Sequence, residues 1–149
     1  SKRPPLDRVN AMLSFIYTIF TREYAAALES VGLDSYMGFY HSLRPGRESL
    51  ACDLVEEGRC IVERFVLTLI NLKIIKPEDF DVQVSGAVFL NDDGRKKVLS
   101  KWQEKKRTDM IHPYLKEKIP MGLLPYVQSM LLAKFVRGEI DEYPCYLAR

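Results

Sequence analysis

Ser49-Leu50-Ala51-Cys52-Asp53-Leu54-Val55-Glu56-Glu57-Gly58-Arg59-Cys60-Ile61-Val62-Glu63-Arg64-Phe65-Val66-Leu67-Thr68-Leu69-Ile70-Asn71-Leu72 is the stretch that decides the fold. Leu50, Leu54, Ile61, Phe65, Leu69 and Leu72 recur at the spacing of one helical stripe, and Val55, Val62, Val66 and Ile70 widen it. Ser49 is a good N-cap, and Lys76-Pro77 ends the pattern. One long helix buried on most sides is therefore expected over 49–72.

Working outward, the same period recurs on both sides. Asp7 caps a helix carrying Val9, Leu13, Ile16, Phe20 and Tyr24, with Met12, Ile19 and Leu28 alongside, and Gly32 stops it. A loop with Gly38, Pro45 and Gly46 fills 33–47. Beyond Pro77, Val82/Val84 and Val88/Phe89/Leu90 flank Ser85-Gly86 and predict a small hairpin. A charged helix follows from Asn91 or Asp92 through Lys97, Trp102 and Arg107, and His112-Pro113 breaks the next stretch. Leu123, Val127, Leu131 and Phe135 mark a last helix between Pro120 and Gly138. The expected architecture is all-α, a multi-helix domain with one short β-hairpin near residues 80–90.

Composition narrows the function classes. With 149 residues, 47% apolar and 28% charged, the chain is one domain's worth and can offset its ordering entropy, so disorder is not the expectation. Its 22 Lys+Arg against 20 Asp+Glu leave a net charge of +2, which excludes a histone-like basic tail but not a local basic patch. Cys52, Cys60 and Cys145 form neither a disulfide framework nor a zinc-ribbon spacing, fit a reducing cytosol, and are expected as small core residues. No run of about 18 apolar residues signals a membrane span. The opening Ser1-Lys2-Arg3-Pro4-Pro5 reads as a linker over residues 1–6, with one helical domain over 7–149.

The residues that carry chemistry converge on the 49–72 helix. Asp53 with Glu56 and Glu57, three and four residues on, share a face, and His41 lies in the loop that leads into the helix. A mixed imidazole and carboxylate set suits Mg²⁺ or Mn²⁺ better than zinc. The competing reading is a solvated acidic face paired with Arg59 or Arg64. What favours a cation is the apolar context of the carboxylates, because a buried carboxylate needs a partner. His112, followed by proline, reads as a capping or packing residue rather than a ligand. No Gly-rich phosphate loop, HExxH or paired Glu-x-x-His motif is present, which argues against NTPase, metalloprotease and di-iron chemistry. Arg44 and Arg47 bracket the acidic site, Arg3 marks the incoming chain, and Lys96, Lys97, Lys101, Lys105, Lys106 and Arg107 crowd one helix as either a solvated face or phosphate contacts.

Arg3-Pro4-Pro5-Leu6-Asp7-Arg8-Val9-Asn10-Ala11-Met12-Leu13-Ser14-Phe15, Ala27-Leu28-Glu29-Ser30-Val31-Gly32-Leu33-Asp34, Gly38-Phe39-Tyr40-His41 and Arg44-Pro45-Gly46-Arg47 followed by 48–57 together resemble the CRISPR-associated adaptation integrases, the Cas-one family. Gly86-Ala87-Val88-Phe89-Leu90, Trp102-Gln103-Glu104-Lys105 and Ile119-Pro120-Met121-Gly122-Leu123-Leu124-Pro125-Tyr126 resemble its subtype I-C branch.

The resemblance implies a helical C-terminal catalytic domain over 7–149, normally preceded by a β-rich domain, and a cytoplasmic prokaryotic protein. It implies a divalent cation, Mg²⁺ or Mn²⁺, held by His41 and Glu56 with Asp53 assisting. A further glutamate ligand from an upstream helix has no match in this chain, so impaired activity of these residues alone is expected. The implied reaction inserts short DNA spacers into the repeat array by 3′-hydroxyl attack on a phosphodiester. The implied partners are double-stranded and branched DNA, a second copy of the full-length protein, and a small CRISPR-associated protein. Arg44, Arg47 and Arg3 are the expected DNA contacts. The alternative is a non-catalytic helical DNA-binding or assembly module. Two departures stand out: Gly58 replaces a bulky family residue and Cys60 a common proline.

Overall fold

The computed structural model describes residues 7–33 and 49–146. The expected 1–6 linker, Arg3, His41, Arg44, Arg47 and most of the 33–47 loop lie outside the described residues.

The first helix, α1, runs Arg8–Ser30. The Asp7 carboxylate accepts the Asn10 N–H at 2.8 Å, which caps it as expected. Met12, Ile16, Phe20, Tyr24 and Leu28 form its buried stripe, one residue every four. It ends where Gly32 takes a φ of +86°, with the Leu33 N–H donating to the Leu28 carbonyl.

The expected single helix over 49–72 is two helices, α2 (Ser49–Glu57) and α3 (Arg59–Asn71). They meet at Gly58, where a distant segment packs closely. A Cβ at residue 58 would sit 2.9 Å from Cε2 of Phe20, a core residue of α1. Gly58 lets α1 and α2 close. Gly58→Ala gains up to about 1 kcal/mol of helix propensity but overpacks a buried ring, at about 1–3 kcal/mol. A net loss of stability in thermal unfolding is expected. A melting temperature equal to or above the parent's would contradict this account of the break.

Strands β1 (Phe80–Val82) and β2 (Val88–Leu90) pair antiparallel with Phe80 opposite Leu90, the expected hairpin. It is latched to α4 (Asp92–Lys106). Asn91 accepts from the Gly94 N–H at 2.9 Å while its amide donates to the Glu78 carbonyl at 2.8 Å. Gly94 approaches so closely that a Cβ there would lie 2.4 Å from the Asp79 carbonyl oxygen.

Asp79 completes the latch, accepting from the Lys76 N–H at 2.9 Å and from the Lys97 ammonium at 3.1 Å. Burial pushes the Asp79 carboxyl up. The Lys76 N–H and Lys97 outweigh it, and the carboxyl is held below its ordinary value. Stability from Asp79 is therefore present above the unfolded-chain value of about 3.9 and is lost as pH falls through the lower folded value. Asp79→Asn is expected to lower stability at neutral pH and flatten the acid limb of a stability–pH curve below about pH 4. An unchanged acid limb would contradict the latch.

A second antiparallel pair corrects the all-α expectation. β3 (Asp109–Ile111) and β4 (Lys118–Pro120) align Met110 with Ile119, where only a helix break was read from His112-Pro113. The domain is mainly α with two small strand pairs. The last helix, α5 (Leu124–Val136), starts after a short turn at Met121–Leu123 and stops before Gly138 at φ +77°. The core centres on Trp102 of α4, fully buried and edge-on to Phe20 and Phe65 at ring separations of 5.3 and 5.0 Å. No helix among the described residues is long and apolar enough to cross a membrane.

Candidate functional site

The three carboxylates of α2 have separate fates. Asp53 is 3% exposed and belongs to the buried side of the helix. Glu56 is not buried, contrary to the expectation drawn from its apolar neighbours: its side chain is 55% exposed and pairs with Arg59, three residues on. Such a surface pair is worth under about 1 kcal/mol, so a stronger partner can displace Arg59. The phenol of Tyr17 on α1 lies within the field of this cluster. Partial burial raises its pKa, Arg59 opposes, and Glu63 and Glu56 reinforce the rise.

The Glu57 carboxylate is engaged by a different set of partners. Its Oε1 accepts from the Tyr143 hydroxyl at 2.9 Å and the Tyr146 N–H at 2.9 Å, with the Gln128 amide at 3.4 Å. The backbone fixes the direction of the whole network. Tyr114 and Leu115 N–H groups donate to His112 Nδ1 at 3.1 and 3.2 Å, so Nε2 carries the proton. Nε2–H then donates to Gln128 Oε1 at 2.6 Å, which orients the Gln128 amide to donate to the Tyr143 oxygen at 2.7 Å and the Pro144 carbonyl at 3.2 Å. Tyr143 is left to donate to Glu57. Burial and then the Glu57 charge push the Tyr143 hydroxyl far above its ordinary value. His112, 1% exposed, is a packing and capping residue as expected.

Gln128, Tyr143 and Tyr146 were not singled out in the sequence. Their only signal is polarity inside an apolar helix, for Gln128, and a tyrosine pair near the end of the chain.

The oxygen chemistry of Asp53 and Glu56 fits a hard divalent cation. Among the described residues no three His, Cys, Asp or Glu side chains gather into a metal-binding group. The expected third donor, His41, is outside them.

Half of the basic run on α4 is paired within the protein. Lys97 bonds Asp79, Lys101 lies 3.5 Å from Glu104, and Lys106 bonds Glu23 at 2.7 Å. Three members of that basic run are therefore neutralised in place. Cys60 and Cys145 are exposed rather than the small core residues expected.

Comparison with known proteins agrees with the order of motifs along the chain. The family model described as CRISPR associated protein Cas1 matches residues 1–104. A CRISPR-associated endonuclease Cas1 from Rhodospirillum rubrum is 52% identical over 145 residues, covering 97% of this chain and 42% of the relative. A casposase bound to its integration product superposes with a TM-score of 0.87 at 25% identity, covering 96% of this chain and 41% of that one. A Cas6-RT-Cas1–Cas2 complex gives 0.76 at 25% identity, covering 100% of this chain and 16% of the other. The chain thus spans less than half the length of these relatives. With over two thirds of its residues inside the family model and half identical to a named member, it belongs to the Cas1 family of CRISPR-associated proteins.

Proposed function

We propose that this chain is the helical catalytic part of a divalent-metal-dependent DNA endonuclease and integrase of CRISPR adaptation, which inserts short DNA spacers into the repeat array by 3′-hydroxyl attack on a phosphodiester. The observation that carries the reading is the solvent-facing carboxylate of Glu56 three residues from the buried Asp53, in a chain whose fold superposes on a casposase bound to integration product.

Glu56 and His41 would hold Mg²⁺ or Mn²⁺, with Asp53 assisting. A cation so held supplies charge neutralisation at the phosphate and eases ionisation of the attacking hydroxyl. Glu56 contributes an anionic oxygen that trades Arg59 for a stronger partner. Asp53, from the buried side of α2, keeps the acidic turn in register. Arg44, Arg47 and Arg3 position the DNA backbone, contacts that orient a duplex without reading its sequence.

The DNA is double-stranded and branched, as spacer ends meeting a repeat require. The full-length protein works as a homodimer with a small Cas2-type partner, in the cytoplasm of a prokaryote, in a subtype I-C setting. A further glutamate ligand comes from sequence outside these 149 residues, so the isolated chain has impaired activity.

The test is cleavage and strand transfer on branched DNA by the complete gene product in Mg²⁺, Mn²⁺ or EDTA, with His41→Ala as control. Activity should require the cation and vanish in the variant. Equal activity in EDTA would contradict the metal mechanism. Salt-steep DNA binding with no turnover under any condition would instead mark a non-catalytic DNA-binding or assembly module.

A further inference from the structure

We infer that Glu57, anchored by the one-directional hydrogen-bond relay from His112 through Gln128 and Tyr143, is a positioning residue that sets the cation-binding end of α2. The inference rests on the reading of Glu56 as a metal ligand.

Helix α2 is only nine residues long, and its C-terminal end runs straight into the Gly58 break. Gly58 offers no side-chain bond there. Leu54 and Val55 bury the last turn of α2 in the core, and the Glu57 carboxylate adds its polar tie, bridging to the Tyr143 hydroxyl and the Tyr146 N–H.

The relay behind that carboxylate is polarised along its length. Backbone N–H groups of 114 and 115 feed His112, His112 feeds Gln128, Gln128 feeds Tyr143, and Tyr143 feeds Glu57. These bonds all run towards the anion, with one side branch from the Gln128 amide to the Pro144 carbonyl, and bonds aligned in this way strengthen one another in a dry interior. Gln128 is fully buried and His112 nearly so. Tyr24, fully buried on α1, also feels the Glu57 charge, which adds to burial in raising its hydroxyl.

Glu57 is one peptide unit from Glu56, so a shift in how Glu57 is held displaces the neighbouring carboxylate directly. Groups hydrogen-bonded to a metal ligand typically govern about 10–100-fold in metal affinity, and Glu57 acts on Glu56 through the backbone they share.

The experiment measures Mn²⁺ affinity of the complete gene product from the free-Mn²⁺ EPR signal, with amide exchange of residues 53–57 in metal-free protein and thermal unfolding alongside. Tyr143→Phe and Glu57→Gln should each weaken Mn²⁺ binding by about 10–100-fold and speed exchange in the last turn of α2. Asp79→Asn, on the remote hairpin latch, should lower the melting temperature without moving Mn²⁺ affinity.

Parent-like Mn²⁺ affinity in Tyr143→Phe and Glu57→Gln, with affinity lost in Glu56→Gln, would overturn the positioning role alone. Parent-like affinity in Glu56→Gln would overturn the metal reading, and this inference with it.

Discussion

Replacing Glu56 by glutamine is expected to cut strand transfer and branched-DNA cleavage by the complete gene product about a thousandfold, equivalent to about 4 kcal/mol of lost transition-state stabilisation. The substitution keeps the size of the side chain and removes its charge, so an oxygen ligand becomes a poor one. The fold should not notice. Glu56 is half exposed and pairs with Arg59 on the surface, an interaction worth under about 1 kcal/mol. The melting temperature should stay within about 3 °C of the parent's. Kinetic assay and thermal unfolding on the same preparation check both halves. A large fall in melting temperature would show that Glu56 is structural, and unchanged rates would remove it from the reaction.

The largest effect on stability is expected at Trp102. Its ring is fully buried, meets Phe20 and Phe65 edge-on, and directs its indole N–H to Glu23 at 3.4 Å. Trp102→Ala removes the side chain on which α1, α3 and α4 converge, and truncations of this kind cost about 3–5 kcal/mol. For a domain of ordinary stability, about 5–15 kcal/mol, that is a large share of the total. Chemical denaturation should show the midpoint shifted accordingly, with Trp102→Phe losing less because two aromatic contacts survive. A loss below about 1 kcal/mol would mean that the core is organised elsewhere.

How much of this was legible depends on where the deciding partner lies. The α1 stripe is local: Met12, Ile16, Phe20, Tyr24 and Leu28 repeat every four residues, and burial follows the repeat. Trp102 was visible only as one aromatic in a charged helix. Gly94, Val98 and Trp102 alone are buried along α4, too thin a stripe to announce a core centre. At 58 the glycine itself was a local sign of a weaker helix, whereas its close approach to Phe20, 38 positions earlier in the chain, is recorded by no local pattern. The β3–β4 pair consists of three-residue strands, one ending in proline, so neither alternation nor strand composition had room to emerge.

The candidate site divides in the same way. Asp53, Glu56 and Glu57 lie on one acidic turn by sequence spacing. The fold separates them through Gln128, Tyr143 and Tyr146, which lie 71, 86 and 89 residues from Glu57. Two adjacent glutamates are chemically identical letters. One remains available to a ligand because the other is engaged by the end of the chain.

The central claim is that Glu56, not Glu57, carries the cation together with His41. The most direct measurement is an anomalous-difference map from Mn²⁺-soaked crystals of the complete gene product. The account predicts one peak within about 2.5 Å of both the Glu56 carboxylate and the His41 imidazole, with Glu57 still bonded to Tyr143 and Arg59 released. A peak on Glu57, or Mn²⁺ bound with Glu56 still paired to Arg59, would contradict it.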